Sequence, residues 1–150
     1  MDNIGELVWA TNSKYDNLQS LAGYFREYAA NFFEPTAIEC RLNFPSNVPE
    51  QTVTAEFRRE LFLVLKEALN NVNKHAAASR VEISLSLEPG WLEIIVQDNG
   101  KGTAAHESPT FHHGLNNIRE RVANLRGTFD LQSQPGCGTR LSARVPWPLT

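Results

Sequence analysis

Cysteine is nearly absent from this sequence: its 150 residues hold two, Cys40 and Cys137, far apart and without a Cys-x-x-Cys pair. That count excludes a disulfide framework and argues against a zinc site, and two unlinked thiols suit a reducing cytoplasm. Long apolar runs are missing too, since none approaches the roughly 20 residues that cross a bilayer. The opening residues Met1-Asp2-Asn3-Ile4-Gly5 have neither the basic start nor the apolar stretch of a signal peptide. The expectation is a soluble, cytoplasmic domain with no membrane contact of its own, whether or not a parent protein is anchored through another part of its sequence. Basic charge is not in excess either. At a formal net charge of -3 the surface offers no general attraction for nucleic acid, so an anionic ligand must be held by local groups.

What is present is an ordinary globular composition, 41% hydrophobic and 21% charged, at a length that supports one compact domain. From Leu18 to Phe33 the apolar residues Leu18, Leu21, Phe25, Tyr28, Ala29 and Phe32 recur at helical spacing, and Pro35 ends the helix. Ile38 to Phe44 alternates like a half-buried strand. A second helix follows, capped by Thr52 or Thr54, with a body from Ala55 to His75. Its stripe of Phe57, Leu61, Val64, Leu65, Ala68, Leu69 and Val72 is wide enough to pack on a sheet. Arg80 to Leu87 and Trp91 to Gln97 read as a hairpin around Glu88-Pro89-Gly90. Asp98 to Phe111 lacks periodicity and reads as a loop. A third helix is expected from about Gly114 to Leu125, closed by Gly127 as its C′ residue. Thr128 to Gln132 and Thr139 to Val145 give two last strands. The sum is an α+β fold, a two-layer sandwich with a mixed, mostly antiparallel sheet. Residues 1–52 supply a lead-in helix and first strand, and residues 53–150 the core of the one domain.

Four short stretches carry chemistry. In Glu67-Ala-Leu-Asn70-Asn71-Val-Asn73-Lys74-His75, residues three and four apart share a helix face, so Glu67, Asn71, Lys74 and His75 stand together. A carboxylate, an amide oxygen and an ammonium within about two turns, roughly 10 Å, are what a magnesium-bound polyphosphate needs. The bland alternative is a solvated face, and for His75 a residue that stabilises a helix C-terminus. Asp98-Asn99-Gly100-Lys101-Gly102 ends a strand with an acceptor suited to an exocyclic amine, yet alone it is common turn chemistry. His112-His113-Gly114-Leu115-Asn116-Asn117 falls at the expected start of a helix, where free N–H groups favour phosphate. Gly136-Cys137-Gly138-Thr139 is by itself a tight turn. His106, His112 and His113 read as solvated loop residues.

The order Glu-x-x-x-Asn-x-x-Lys-His, Asp-x-Gly-x-Gly, Gly-Leu-x-Asn, Gly-x-Gly-Thr resembles the ATPase superfamily of gyrase, heat-shock chaperones, histidine kinases and mismatch-repair proteins. Within it the chain is similar to the catalytic (HATPase_c) domain of bacterial two-component sensor histidine kinases that work with LuxR-type response regulators. Lys66-Glu67-Ala68-Leu69-Asn70-Asn71 and Asn117-Ile118-Arg119-Glu120-Arg121-Val122 carry that narrower likeness, from about Val53 to Pro146. Glu6-Leu7-Val8-Trp9-Ala10 is similar to the lead-in of some of these kinases.

The resemblance implies a Bergerat-type fold with helices on one sheet face, and ATP and Mg2+ as ligands. By its pattern Asn71 holds magnesium, Glu67 lies near the phosphates or a reacting water as the catalytic carboxylate, and Lys74 and His75 approach the phosphates. Asp98 reads the adenine amino group with Gly100 and Gly102 beside the base. Gly114, Leu115 and Asn117 belong near the phosphates and a lid, while Gly136, Gly138 and Thr139 help close the adenine pocket. Two positions depart from the pattern: His112 stands where many relatives have a glycine, and Thr103 where an apolar residue is usual. No histidine lies in a phosphoacceptor context. The implied partners are therefore a histidine-bearing dimerisation domain of the same kinase and a downstream response regulator, with this piece monomeric by itself. An anti-sigma-factor-like serine kinase of the same superfamily and a non-catalytic, ATP-dependent interaction module are the other readings.

Overall fold

The computed structural model describes Trp9, residues 13–102 and residues 109–147. Helix α1 (Leu18–Phe33) starts where Asn17 Oδ1 accepts the Ser20 N–H at 2.8 Å. It buries Leu18, Leu21, Phe25, Tyr28 and Ala29, the stripe its spacing predicts. Strand β1 (Glu39–Asn43) follows. Thr54 caps helix α2 (Ala55–Asn71), its Oγ1 accepting from Phe57 N–H at 3.0 Å, while Thr52 pairs with Asn17 across an isolated bridge. The α-helical body stops at Asn71, short of the expected His75. From Val72 to Ala76 the coil widens into a π turn, and Ala77 ends it in the left-handed region at φ 50°. Such turns interrupt helices most often where side chains must be re-aimed for function.

Strands β2 (Arg80–Glu88) and β3 (Trp91–Asp98) form the expected hairpin, in a register that sets Val81 opposite Asp98 and Ile83 opposite Val96. Helix α3 (Pro109–Asn124), β4 (Thr128–Ser133) and β5 (Thr139–Pro146) complete the domain. The sheet order is β1-β2-β3-β5-β4, parallel between β1 and β2 and antiparallel elsewhere. Helix α2 is the crossover of the parallel pair. Val81, Ile83, Leu92, Ile94, Ala143 and Val145 are buried on the face that the helices cover. Between them Glu82, Glu93, Gln97 and Arg144 alternate onto the opposite, polar face. The outcome is the expected two-layer α+β sandwich. No helix among the described residues is long and apolar enough to cross a membrane. Cys40, half-buried, and Cys137, exposed, are separate free thiols.

Both ends of helix α3 also differ from the sequence expectation. Helix α3 begins at Pro109, not near Gly114. Proline suits the first helical position because its missing N–H would have no partner there. The helix ends in a Schellman turn: Gly127 N–H reaches Val122 O at 2.9 Å and Arg126 N–H reaches Ala123 O at 2.9 Å. The left-handed C′ residue is therefore Arg126 at φ 60°, and Gly127 sits one place later. A Cβ on Gly127 would stand 2.4 Å from Arg144 O, so close packing on β5 requires glycine there.

Arg58 on α2 is fully buried, which the apolar stripe around it does not announce. Its guanidinium pairs with Asp16, donates to the Trp9 carbonyl and lies 5.4 Å from the Trp9 ring centroid. Trp9 in turn stacks on Tyr24 at 4.1 Å and meets Phe62 edge-on at 5.7 Å. Val53 N–H donates to Asp16 O at 3.1 Å and Leu18 N–H to Gln51 O at 2.9 Å, so the segment ahead of α1 is strapped over the start of α2. Removing one partner of a buried ion pair costs about 3–5 kcal/mol. Asp16→Ala is expected to lower unfolding free energy by about 3 kcal/mol in chemical denaturation followed by tryptophan fluorescence. A loss under about 1 kcal/mol would show that the strap is held by its aromatic contacts alone.

Candidate functional site

One pocket opens between the helix layer and the sheet, at the end where α2, β3 and the β4–β5 connection meet. Asn71, Asp98 and Thr139 are its polar members. Ala68, Val72 and Ala76 from α2 and its π turn, Val96 from β3, Phe111 from α3, and Leu131 and Leu141 from β4 and β5 make the rest apolar. A flat, mostly apolar ligand with one polar edge fits such a lining.

Asp98 is the last residue of β3 and only 7% exposed, and its Oδ1 accepts the Gly100 N–H at 2.8 Å. That bond fixes the carboxylate's direction and leaves acceptor capacity for a second donor. Asn99 pins the turn from outside: its Oδ1 accepts from Ser79 N–H at 3.0 Å and Arg80 N–H at 2.9 Å. Gly100 is pressed on the π turn, where a Cβ would stand 2.0 Å from Ala76 O, and Lys101 N–H donates to that same carbonyl at 2.8 Å. Gly138 is pressed on Asp98 from the other side, with a Cβ placed 2.0 Å from Asp98 O. In this structure the close approaches of these two glycines are thus to protein backbone. Gly102 and Gly136 both adopt positive φ, and Gly136 N–H closes onto Lys101 O at 3.0 Å.

Asn71 is 8% exposed, and its Nδ2 has no hydrogen-bond partner among the described residues. A buried amide left unsatisfied costs about 1–3 kcal/mol, which a bound ligand would recover. Its Oδ1 comes within 3.2 Å of the point where a Cβ on Gly114 would lie, and Glu67 Oε1 within 2.3 Å of that point. Two oxygens thus converge where α3 crosses α2, and the glycine leaves them room. Oxygen donors of this kind suit a hard cation, and magnesium is commonly held by one or two protein oxygens plus phosphate.

His75 projects from the π turn, its Nε2 buried and without a partner among the described residues, its ring edge-on to Phe111 at 5.8 Å. Burial pushes its pKa below the ordinary value, and Lys74 and Lys101 push the same way against a weaker pull from Glu67. Two ammonium groups near one imidazole also make this end of the site favourable to anions.

Glu67, Asn71 and Gly114 are therefore brought together, as are Asn71, Asp98 and Thr139. Lys74 is exposed and outside the pocket lining, Leu115 is buried in the core, and Asn117 is half-buried on α3. Gly114 lies in the second turn of α3, so the free N–H groups of that helix start belong to the turn before it, and the phosphate reading of a helix start at Gly114 is corrected. His112 and His113 are exposed on α3, on a helix and not a loop. Thr103 and His106 lie outside the described residues. Phe111 and Lys101 are site residues that sequence reasoning passed over. The signal for Phe111 was present, since Phe111, Leu115, Ile118 and Val122 continue one helical stripe behind Pro109.

The His75 shift gives a pH dependence with a definite sign. A folded pKa below the unfolded value near 6.5 means the unfolded chain takes up a proton more readily, so stability is lost as pH falls through about 6.5. Melting temperatures from pH 8 to 5.5 should fall more steeply for the unaltered chain than for His75→Gln. Parallel curves would refute the assignment.

Residues 57–149 match the family described as histidine kinase-, DNA gyrase B-, and HSP90-like ATPase. The sensor histidine kinase LiaS of Bacillus subtilis is 31% identical over 100 residues, 67% of this chain and 28% of that protein. The histidine kinase domain of the Erythrobacter litoralis EL346 blue-light activated kinase superposes with a TM-score of 0.67 at 22% identity, covering 84% of this chain and 64% of that one. The ATP binding domain of PrrB from Mycobacterium tuberculosis gives a TM-score of 0.61 at 25% identity, covering 88% and 95%. The chain spans less than a third of the length of the curated relatives it matches. A family match of that extent, on a helix layer and sheet of the same shape, decides membership: this chain belongs to the histidine kinase-, DNA gyrase B- and HSP90-like ATPases.

Proposed function

We propose that this chain is the ATP- and magnesium-binding catalytic domain of a sensor histidine kinase, delivering the γ-phosphoryl group to a histidine on a separate dimerisation domain of the same kinase, with a response regulator downstream. One observation carries the reading. Asn71 and Asp98, each less than a tenth exposed and on different elements, meet at one apolar pocket, and the Asn71 Nδ2 has no partner among the described residues. The likeness to named sensor kinases favours transfer to histidine over the anti-sigma-factor-like serine kinase.

In this reading Asp98 accepts the exocyclic amino group of adenine, held in direction by the Gly100 N–H. Val96, Phe111, Leu131 and Leu141 keep water from the base, with Thr139 at its edge. Asn71 would offer its oxygen to magnesium, which when bound would neutralise charge on the phosphate chain. His75 and Lys101 lie at the anion-favouring end, with the exposed Lys74 beside them. Glu67, near the phosphates, is the carboxylate we assign to take up the proton that the accepting imidazole loses as it is phosphorylated. Gly114, with Leu115 and Asn117 behind it, lets α3 close on that end.

Calorimetric titration with ATP and a non-hydrolysable analogue, with and without magnesium, tests this. Losing a hydrogen bond to a charged group costs about 1.5–3 kcal/mol, so Asp98→Asn should bind about 10- to 100-fold more weakly. Asn71→Asp should change the magnesium dependence. Undiminished binding in both variants would sink the assignment. Tight binding without transfer to a supplied histidine-bearing domain would favour the interaction module instead.

A further inference from the structure

The Arg119-Glu120-Arg121 stretch plays no part in the pocket, yet one of its members reaches across to α2. Arg121 Nη1 donates to Glu60 Oε2 at 2.8 Å, with the Glu60 side chain only 12% exposed and that of Arg121 35%. Arg59 approaches the other oxygen of Glu60 more distantly, at 3.7 Å. The two helices run antiparallel, because Gly114 near the start of α3 meets Glu67 and Asn71 near the end of α2. Glu60 and Glu67 are seven residues apart, and so are Gly114 and Arg121. One ion pair and one close approach therefore join the same pair of helices, separated on each by about two turns, roughly 10 Å.

The two contacts differ in kind. At the pocket end α3 presents a glycine, which has no side chain to interlock with α2. Between the ends Leu115, Ile118 and Val122 bury apolar surface, a non-directional attraction that fixes which face of α3 is inward more firmly than how far it slides. The hydrogen-bonded ion pair is directional and partly sheltered from water, with Glu60 the more buried partner.

We propose that Glu60 and Arg121 are positioning residues: their pair sets the register of α3 along α2 and so holds Gly114 against the Glu67 and Asn71 oxygens. The inference rests on the nucleotide reading above and deepens it. The half of the site that takes magnesium and the outer phosphates depends on the pair, whereas in the half that takes the base only Phe111 rides on α3, beside α2 and the strands β3, β4 and β5.

The test uses this chain, unaltered and as Glu60→Gln, Arg121→Gln and the exchange Glu60→Arg with Arg121→Glu. Each is titrated with a magnesium-bound ATP analogue and, separately, with AMP, which lacks the outer phosphates; Glu88→Gln, at an exposed pair with Arg144 on the sheet, serves as control. Either single change is expected to weaken the magnesium–triphosphate complex about fivefold, within the usual range of coupling between sites, and to leave AMP within twofold. The exchange should recover most of the loss. Because the two single changes break the pair from opposite sides, a folding failure in one leaves the other to decide. Unchanged triphosphate affinity, an equal loss for both ligands, or no recovery in the exchanged protein overturns the inference while the nucleotide reading stands. Absence of binding by the unaltered chain would instead fell that reading, and this one with it.

Discussion

Backbone pressed on backbone is the constraint from which the site follows. The π turn after α2, the Asp98–Gly102 turn and the β4–β5 connection are stacked in that order, with the Ala76 carbonyl under Gly100 and the Asp98 carbonyl under Gly138. At about 2 Å from a hypothetical Cβ, neither contact admits any side chain. The stacking carries Asp98 into the pocket wall. Hydrogen bonds from Lys101 and Gly136 stitch the layers, so these connections are held as firmly as the strands they join.

A second constraint works at the other end of α2. Taking a guanidinium out of water carries a large desolvation cost, and a carboxylate, a carbonyl and an aromatic face offset it. Arg58 gathers these from Asp16 and Trp9, residues that would otherwise be a surface lead-in. The same helix is thus anchored by charge at its start and ends in polar groups facing a pocket, with an uninterrupted apolar stripe between. Stability and chemistry occupy different turns of one element.

Much of the fold was legible because its signals are local. Leu18 to Phe33 lies between an Asn cap and a proline, and the alternation of Val81, Ile83 and Leu85 against Leu92, Ile94 and Val96 admits one pairing. The misreadings are equally specific. Pro109 was taken for loop punctuation when it stood at the first position of a helix, which displaced Gly114 from the second turn to the start. Arg126 holds the left-handed residue that a nearby glycine seemed made for. Glu67, Asn71 and Asp98 were legible as chemistry by type and spacing. Their convergence with Phe111 and Thr139 was not, because that depends on strands β4 and β5 closing the sheet beside β3.

That closure has a consequence for how the chain matures. The pocket draws on residues from Ala68 to Leu141, so no partial fold that lacks the last strand contains it. A ligand that recognises the finished pocket has nothing to bind in the unfolded or half-built chain. Its free energy of association is then added in full to the stability of the whole domain, growing with the logarithm of concentration. Nucleotide supply in the cell would act on this domain as a folding ligand before it acts as a substrate.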